Sequence, residues 1–241
     1  MTGTILNVIT VLIGSVLGSF LGNRLPEKMR LTVMSGLGLM TAVVGMQMAL
    51  GTRNVLLVMG SVLIGGILGE WWRIQEGLEA IGRWLEEQVG GALGGGDERS
   101  ITRAFVTASL VFCVGPMTIL GSIQDGLTGD YSLLAIKSML DGFAALAFAA
   151  TLGPGVVLSI LTILAVQGGI SLAAIAIGDA LGSVTRQTPW VIEMTAAGGV
   201  LILGISLILL DLRRIRVANL LPAIVIAPLA QALLDGLGVR F

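Results

Sequence analysis

The chain has 241 residues, 55% of them hydrophobic and 12% charged, and its mean hydropathy is +0.96. This composition excludes a water-soluble globular domain and is typical of a membrane protein with many spans. The formal charge of −1, with scattered basic residues, argues against nucleic acid as a partner. One cysteine and no histidine argue against a metal site, a haem or a Cys/His nucleophile, so we expect no metal and no cofactor.

Apolar runs of about 20 residues, the length that crosses a bilayer as a helix, recur along the whole sequence. They predict an all-α bundle of about eight transmembrane helices, forming a single domain over residues 1–241. The predicted spans are residues 4–22, 31–50, 55–71, 102–121, 132–151, 155–177, 190–211 and 217–236.

Residues 73–99, between the third and fourth spans, are more polar than their surroundings. Apolar and acidic side chains repeat at helical spacing up to Glu87, which predicts an amphipathic helix at the membrane interface. Gly90–Gly96 then reads as a flexible linker. Trp71 and Trp72 fit an aromatic belt that anchors the helix ends.

Basic residues in the connecting segments indicate the orientation, because cytoplasmic loops carry the excess of Lys and Arg. With the N-terminus outside, ten of the 14 basic residues fall in cytoplasmic segments and three outside, and Lys137 lies within a span. We therefore expect both termini outside and the 73–99 segment in the cytoplasm.

An internal repeat is the next prediction. A shift of 160 residues aligns Gly18-x-x-Leu21-Gly22 with Gly178-x-x-Leu181-Gly182, and Met34 and Gly38 with Met194 and Gly198. The shift equals five spans, so spans 1–3 and 6–8 would form an inverted repeat, with the fourth and fifth spans inserted between them. Many secondary transporters have this arrangement. Chance identity in glycine-rich helices is the alternative.

Gly14, Gly18 and Gly22 form a glycine stripe along the first span. Small residues at this spacing let helix backbones approach closely. The stripe predicts either tight packing inside one subunit, a homo-oligomer contact or a ligand-facing groove.

The central stretch from Cys113 to Asp141 combines a helix-breaking pair with polar residues. Proline has no amide hydrogen and its ring clashes with the preceding turn, so Gly115-Pro116 predicts a broken helix. Charged side chains at the bilayer centre cost roughly 2.5–3.5 kcal/mol on insertion scales and usually serve a pathway or a partner. We therefore predict a substrate or ion site at Gln124, Asp125, Asp130, Lys137 and Asp141.

The same residues also have purely structural explanations. Lys137 and Asp141 are four apart on one helix face, so they can form a purely structural pair. Gly115-Pro116 can be a plain kink beside an ordinary loop. Pro222 and Pro228 predict a second discontinuous helix in the last span, with kinks of no functional role as the alternative.

An enzyme is not expected. Gly126-Leu-Thr-Gly129-Asp130 invites comparison with the Gly-x-Gly-Asp motif of intramembrane aspartyl proteases, but Leu127 stands where the motif has its first glycine. A two-carboxylate mechanism would also need a second aspartate facing the first.

The stretch GPMTILGSIQDGLTGD at 115–130, followed by KSMLDG at 137–142, resembles the bacterial inner-membrane proteins of the YdfK/YqgA-like family. The glycine-rich first span and the Gly-Glu-Trp-Trp segment around Glu70 fit the same family. The resemblance implies a multi-pass helical protein of the bacterial cytoplasmic membrane and names no substrate.

We therefore expect a transporter that moves a small polar solute or ion, with a cation or amine favoured, and the lipid bilayer and the solute as partners. Asp125, Lys137 and Asp141, helped by Gln124, would lie in a partly hydrated cavity, where a carboxylate can exchange its proton with occupancy. The alternatives are an ion channel and a non-transporting scaffold or regulatory protein that uses the 73–99 segment.

Overall fold

The protein is described here by a computed structural model, which covers residues 1–22, 26–89, 98–177 and 187–237. Within these ranges the chain is helical and has no strand, which confirms the all-α fold class. The predicted linker Gly90–Gly96 and the Gly178/Gly182 part of the repeat lie outside the described residues. The helices are α1 (Thr2–Gly22), α2 (Glu27–Ala49), α3 (Val55–Trp72), α4 (Ile74–Val89), α5 (Glu98–Cys113), α6 (Pro116–Leu127), α7 (Ser132–Leu152), α8 (Ser159–Ile163), α9 (Gly169–Ile177), α10 (Pro189–Leu209) and α11 (Ala223–Gly236).

Seven segments of the described chain are long and apolar enough to cross a membrane, and a bent pair of helices makes up to eight. This matches the predicted polytopic bundle, because a run of apolar residues of bilayer length satisfies its own backbone hydrogen bonds as a helix. Beyond α1, α2, α3, α7 and α10, the spans are Pro154–Ala176 and Val217–Gly236.

The bent pair is the fourth predicted span. Its two halves, Ile101–Cys113 and Met117–Leu127, meet at an angle of 62°. Pro116 is the first residue of α6, a position where its missing amide hydrogen costs no helical hydrogen bond. The sequence pair Gly115-Pro116 thus ends one helix and starts the next.

The sixth span, Pro154–Ala176, changes helix type along its length. A 3₁₀ turn at Pro154–Leu158 leads into α8, and a π-helical turn at Leu164–Gly168 separates α8 from α9. π-Helical turns are rare inside helices and frequently occur at functional sites. This turn therefore directs attention to the side chains that it carries.

Of the two prolines in the last span, one marks a change of helix type and the other does not interrupt the helix. Val217–Leu220 is a 3₁₀ turn, and Pro222 immediately precedes α11. Pro228 lies inside α11, which continues to Gly236, so the prediction of a break there is wrong. A transmembrane helix tolerates the loss of one hydrogen bond when neighbouring groups and local adjustment satisfy the freed carbonyl.

The amphipathic segment begins with α4. Its side chains Ile81 and Trp84 are exposed, as are Trp71 and Trp72 at the end of α3. Large apolar side chains at a helix end fit a membrane–water boundary.

Two compact units make up the chain. The first unit comprises Met1–Ser35, Glu79–Cys113 and Met117–Ser183, and the second comprises Gly36–Leu78, Val114–Pro116 and Val184–Phe241.

In the first unit, the glycine stripe packs against α7. A methyl group added at Gly14 would overlap the carbonyl oxygen of Gly142, and one at Gly22 would overlap that of Ala150. Residue numbers rise together along both helices, so α1 and α7 run parallel. A helix of the same chain therefore packs on the stripe, as expected from the first of its three interpretations, tight packing inside one subunit.

In the second unit, glycines bring two further helix pairs together in the opposite sense. Gly38 of α2 meets Leu210 and Gly45 meets Leu203 of α10, so these helices are antiparallel. Gly69 of α3 meets Asn219 and Gly65 meets Ala223, so α3 is antiparallel to the last span in the same way.

Candidate functional site

The buried ion pair Lys137–Asp141 lies in the first half of α7. The ammonium group of Lys137 contacts Oδ2 of Asp141 one turn later on the same helix face, and the two residues are 6% and 9% exposed. The pair is thus closed off from the surface of the first unit. A pair in this position is electrically neutral but still carries a desolvation cost that only good geometry and further hydrogen bonds offset.

Asn7 of α1 supplies such a further hydrogen bond. Its Nδ2 donates to Oδ2 of Asp141 at 2.9 Å, and its side chain is fully buried. The close approach that the glycine stripe allows between α1 and α7 brings this amide against the carboxylate.

Gln167 joins the same group from the sixth span. It lies in the π-helical turn, is fully buried, and its Oε1 accepts a hydrogen bond of 3.2 Å from Nδ2 of Asn7. We call the four side chains Asn7, Lys137, Asp141 and Gln167 the amide–ion cluster. It joins three spans in the interior of the first unit.

Several polar atoms around this cluster have no hydrogen-bond partner within the described part of the chain. Two belong to the cluster itself: Oδ1 of Asn7 and Nε2 of Gln167. The hydroxyl groups of Thr4 and Ser122, in the same unit, are unpartnered as well. A buried polar group without a partner costs roughly 1–3 kcal/mol, so such groups call for water or a ligand.

Asp125, a residue of α6, contacts the first turn of α1 and has no described hydrogen bond to the ion pair. Its carboxylate accepts 3.1 Å hydrogen bonds from the amide of Gly3 and the amino group of Met1. A carboxylate at this position satisfies free N–H groups of the first helical turn and complements the helix dipole. Asp125 therefore holds α1 in place, and its carboxylate has partners of its own.

Gln124 and Asp130 do not join the cluster. Gln124 is half-buried in α6, and its backbone carbonyl accepts from Thr128. Asp130 is exposed in the turn between α6 and α7, where hydrogen bonds from the hydroxyl and amide of Ser132 hold the pKa of its carboxyl below the ordinary value. The prediction that Asp130 contributes to a site within the membrane is corrected, because α6 ends at Leu127 and leaves Asp130 in the connecting turn.

A surface groove in the second unit does not compete with the cluster as a polar site. It has a volume of about 590 Å³ and is open, with mostly apolar walls. Such walls suit lipid chains better than a polar solute. Its lining residues are Val62, Leu63, Gly66, Ile67, Glu70, Trp71 and Leu220.

Sequence reasoning missed Asn7 and Gln167. Each is a single carboxamide within an otherwise apolar span, a weak signal by itself. Their separation of 160 residues equals the shift of the proposed repeat, and that coincidence could have identified them.

Comparisons with known proteins match one family along nearly the whole chain. Residues 2–232 match the family model described as "Protein of unknown function (DUF554)". The chain is 28% identical over 245 aligned residues to the uncharacterized membrane protein YdfK of Bacillus subtilis strain 168, covering 100% of each chain. It is 30% identical over 232 residues to the uncharacterized protein YqgA of Escherichia coli K12, covering 95% of this chain and 96% of that one. No solved structure matches significantly. The chain, a multi-pass helical membrane protein, belongs to the DUF554 family.

Proposed function

We propose that the protein carries a small polar solute or ion across the bacterial cytoplasmic membrane, and that the amide–ion cluster binds it. The observation that carries this proposal is the buried cluster itself, in which an ion pair and two partly unpartnered amides from three spans meet. Polar groups at membrane depth are costly and are usually kept for a pathway or a partner.

A purely structural pair explains less of the arrangement. Lys137 and Asp141 could neutralise one another without help, yet the carboxamide of Asn7 also bonds to Asp141, and a second carboxamide, that of Gln167, bonds to Asn7. Each carboxamide leaves one polar atom without a partner. A cluster kept only for stability would gain from apolar replacements at these positions.

The cluster is closed in the described state, which favours a carrier over an open channel. Its four residues are at most 9% exposed, so a solute reaches them only after a conformational change. Gln167 lies in a π-helical turn, which departs from regular α-helical hydrogen bonding. The sixth span could bend at this turn.

Contacts within the first unit are those expected from an inverted repeat. Asn7 donates to Gln167, which is its counterpart under the shift of 160 residues. Residues related by a two-fold axis meet their own counterparts where the axis passes between the copies. Transporters built on inverted repeats bind their substrates near the bilayer midplane where the repeats meet.

Contacts within the second unit support the same proposal. Gly45 meets Leu203 and Gly65 meets Ala223, in both cases a residue 158 positions later, close to the shift of 160. Both helix pairs are antiparallel, as an axis in the membrane plane requires. In all three pairs of spans, a residue of one repeat would thus contact the equivalent residue, or one close to it, in the other repeat.

Helix directions also favour eight crossings with residues 1 and 241 on one side. Because α1 and α7 are parallel, the chain crosses the membrane an odd number of times between them. If α4 lies at the interface and α2 and α3 each cross, the bent pair α5–α6 would supply the third crossing. The basic residues then put that common side outside.

Uptake by purified protein in liposomes tests the transport proposal. The panel comprises monovalent cations, amines and small neutral solutes, and the protein's thermal unfolding is recorded in parallel. We expect flux of at least one solute that is lost in a Lys137→Met/Asp141→Leu double variant of unchanged stability. Silence of a folded protein across the panel would favour a scaffold or regulatory protein.

Thiol labelling tests the topology. Single cysteines at positions 2, 88 and 241, introduced in a Cys113→Ser background, should label from opposite sides: 2 and 241 from outside and 88 from the cytoplasm. Labelling of all three from one face would contradict the eight crossings.

A further inference from the structure

The two carboxamides of the amide–ion cluster do not form a reciprocal pair. Nδ2 of Asn7 is shared between Asp141 and Oε1 of Gln167. As a result, Oδ1 of Asn7 and Nε2 of Gln167 keep their hydrogen-bonding capacity although both residues are 0% exposed. The free acceptor and the free donor thus belong to two side chains that a hydrogen bond of 3.2 Å already joins.

Among the residues that the structure describes, the buried charges of the first unit are already paired. Lys137 contacts Asp141, and Asp125 accepts hydrogen bonds from Gly3 and the amino group of Met1. The buried cluster atoms that have no partner at all are therefore both uncharged, one acceptor on Asn7 and one donor on Gln167. A bare cation would find the oxygen of Asn7 but also the NH₂ group of Gln167, which cannot coordinate it.

We propose that the ligand of the amide–ion cluster is a small neutral solute that presents a hydrogen-bond donor and an acceptor on neighbouring atoms, as a carboxamide or urea does. Such a molecule donates to Oδ1 of Asn7 and accepts from Nε2 of Gln167. This proposal rests on the transport function proposed above. The carboxylates in the sequence favoured a cation or an amine as the ligand, whereas the ligand proposed here is uncharged.

Specificity follows from the cost of leaving these groups unmatched. A solute that lacks either the donor or the acceptor leaves one buried amide atom unpaired on binding, and sites built this way discriminate strongly. Acetamide and urea match both groups, whereas sodium, rubidium and methylammonium match at most the acceptor.

The experiment measures uptake of acetamide, urea, rubidium, sodium, methylammonium and water by liposomes containing the full chain. Three variants accompany the native protein: Asn7→Leu, Gln167→Met and Ser138→Ala. Ser138 is the matched control, because it is fully buried one residue from Lys137 and its hydroxyl already donates to the carbonyl of Leu134. Thermal unfolding of each variant separates loss of binding from loss of fold.

We expect acetamide and urea uptake in the native protein and in Ser138→Ala. In Gln167→Met, which nearly keeps the side-chain volume, uptake should fall by about tenfold or more, since each unmade buried hydrogen bond weakens binding by about that factor. Asn7→Leu should lose uptake as well. If one variant fails to fold, the other carries the test.

Three results would overturn the inference in distinguishable ways. Cation or methylammonium flux without amide flux would refute the neutral ligand and keep the transporter. Water flux alone would refute an organic ligand. No flux of any solute through folded protein would refute the transport function itself.

Discussion

The interiors of the two units differ in where their polar groups lie. The second unit has an apolar core built from small and branched side chains on three helices, with alanines where α10 and α11 approach each other: Leu57, Val58, Ala196, Ala197, Ala223 and Ala227. The first unit has the amide–ion cluster within its interior.

The carboxylate contacts described in the second unit lie near the ends of its helices. Glu193, in the second turn of α10, accepts from the hydroxyl of Thr52 at 2.5 Å and from the amide of Arg53 at 2.9 Å. Near the other end of α3, Glu70 contacts Arg216 and accepts from Asn219 at 2.5 Å. Glu193 thus holds the turn before α3, whereas the side chains of the amide–ion cluster bond to one another across three spans.

The largest effect is expected from breaking the ion pair. Asp141→Ala leaves the ammonium of Lys137 buried without its counter-ion, so the free energy of unfolding should fall by about 3–5 kcal/mol. Lys137→Met/Asp141→Leu should restore most of that stability and still abolish flux. Thermal unfolding and liposome uptake check both results. A stable, fully active double variant would show that transport does not require the ion pair of the cluster.

The glycine contacts come next and should affect both units alike. Gly14→Ala places a methyl group against the carbonyl of Gly142, and Gly69→Ala places one against that of Asn219. Backbone atoms cannot move aside like side chains, so each change should cost about 1–3 kcal/mol. Gly60→Ala is the control, because a methyl group there meets no atom within 4 Å. Equal melting temperatures of all three variants would contradict the packing.

A smaller effect is expected at the end of α10. Glu193→Gln removes the charge from the hydrogen bonds to Thr52 and Arg53, which should cost about 1–2 kcal/mol. Uptake per folded molecule should stay unchanged, in contrast to the cluster variants. A loss of flux at native stability would mean that the second unit also carries a working polar group.

The smallest effect is expected at Asp130, which is exposed in the turn between α6 and α7. Its lowered pKa means that the Ser132 contacts stabilise the fold above the ordinary aspartate pKa of about 3.9, and this contribution is lost as pH falls through the folded-state pKa. Ser132→Ala should therefore slightly lower the melting temperature at neutral pH, with no difference in acid. Solute flux through Ser132→Ala should equal that of the native protein. A loss of flux would indicate that Asp130 contributes to the transport site after all.

The sequence by itself determined the span pattern, the fold class and the location of the break in the fourth span. Each of these depends on local properties: the length of an apolar run against the bilayer thickness, or the missing amide hydrogen of Pro116. The Lys137–Asp141 pair was predictable for the same reason, since a spacing of four places two side chains on one helix face.

Tertiary structure alone decided which groups join that pair. Asn7 reaches Asp141 from a span more than 100 residues earlier in the chain, because glycines let α1 approach α7. Gln167, carried by a π-helical turn, joins the group through its hydrogen bond with Asn7. Tertiary structure also places the carboxylate of Asp125 against the first turn of α1. The position of Asp125 in the sequence had instead suggested a place beside Lys137. Local sequence fixes which residues are polar and on which helix face they lie, but hydrogen-bond partners across spans depend on how closely the helices pack.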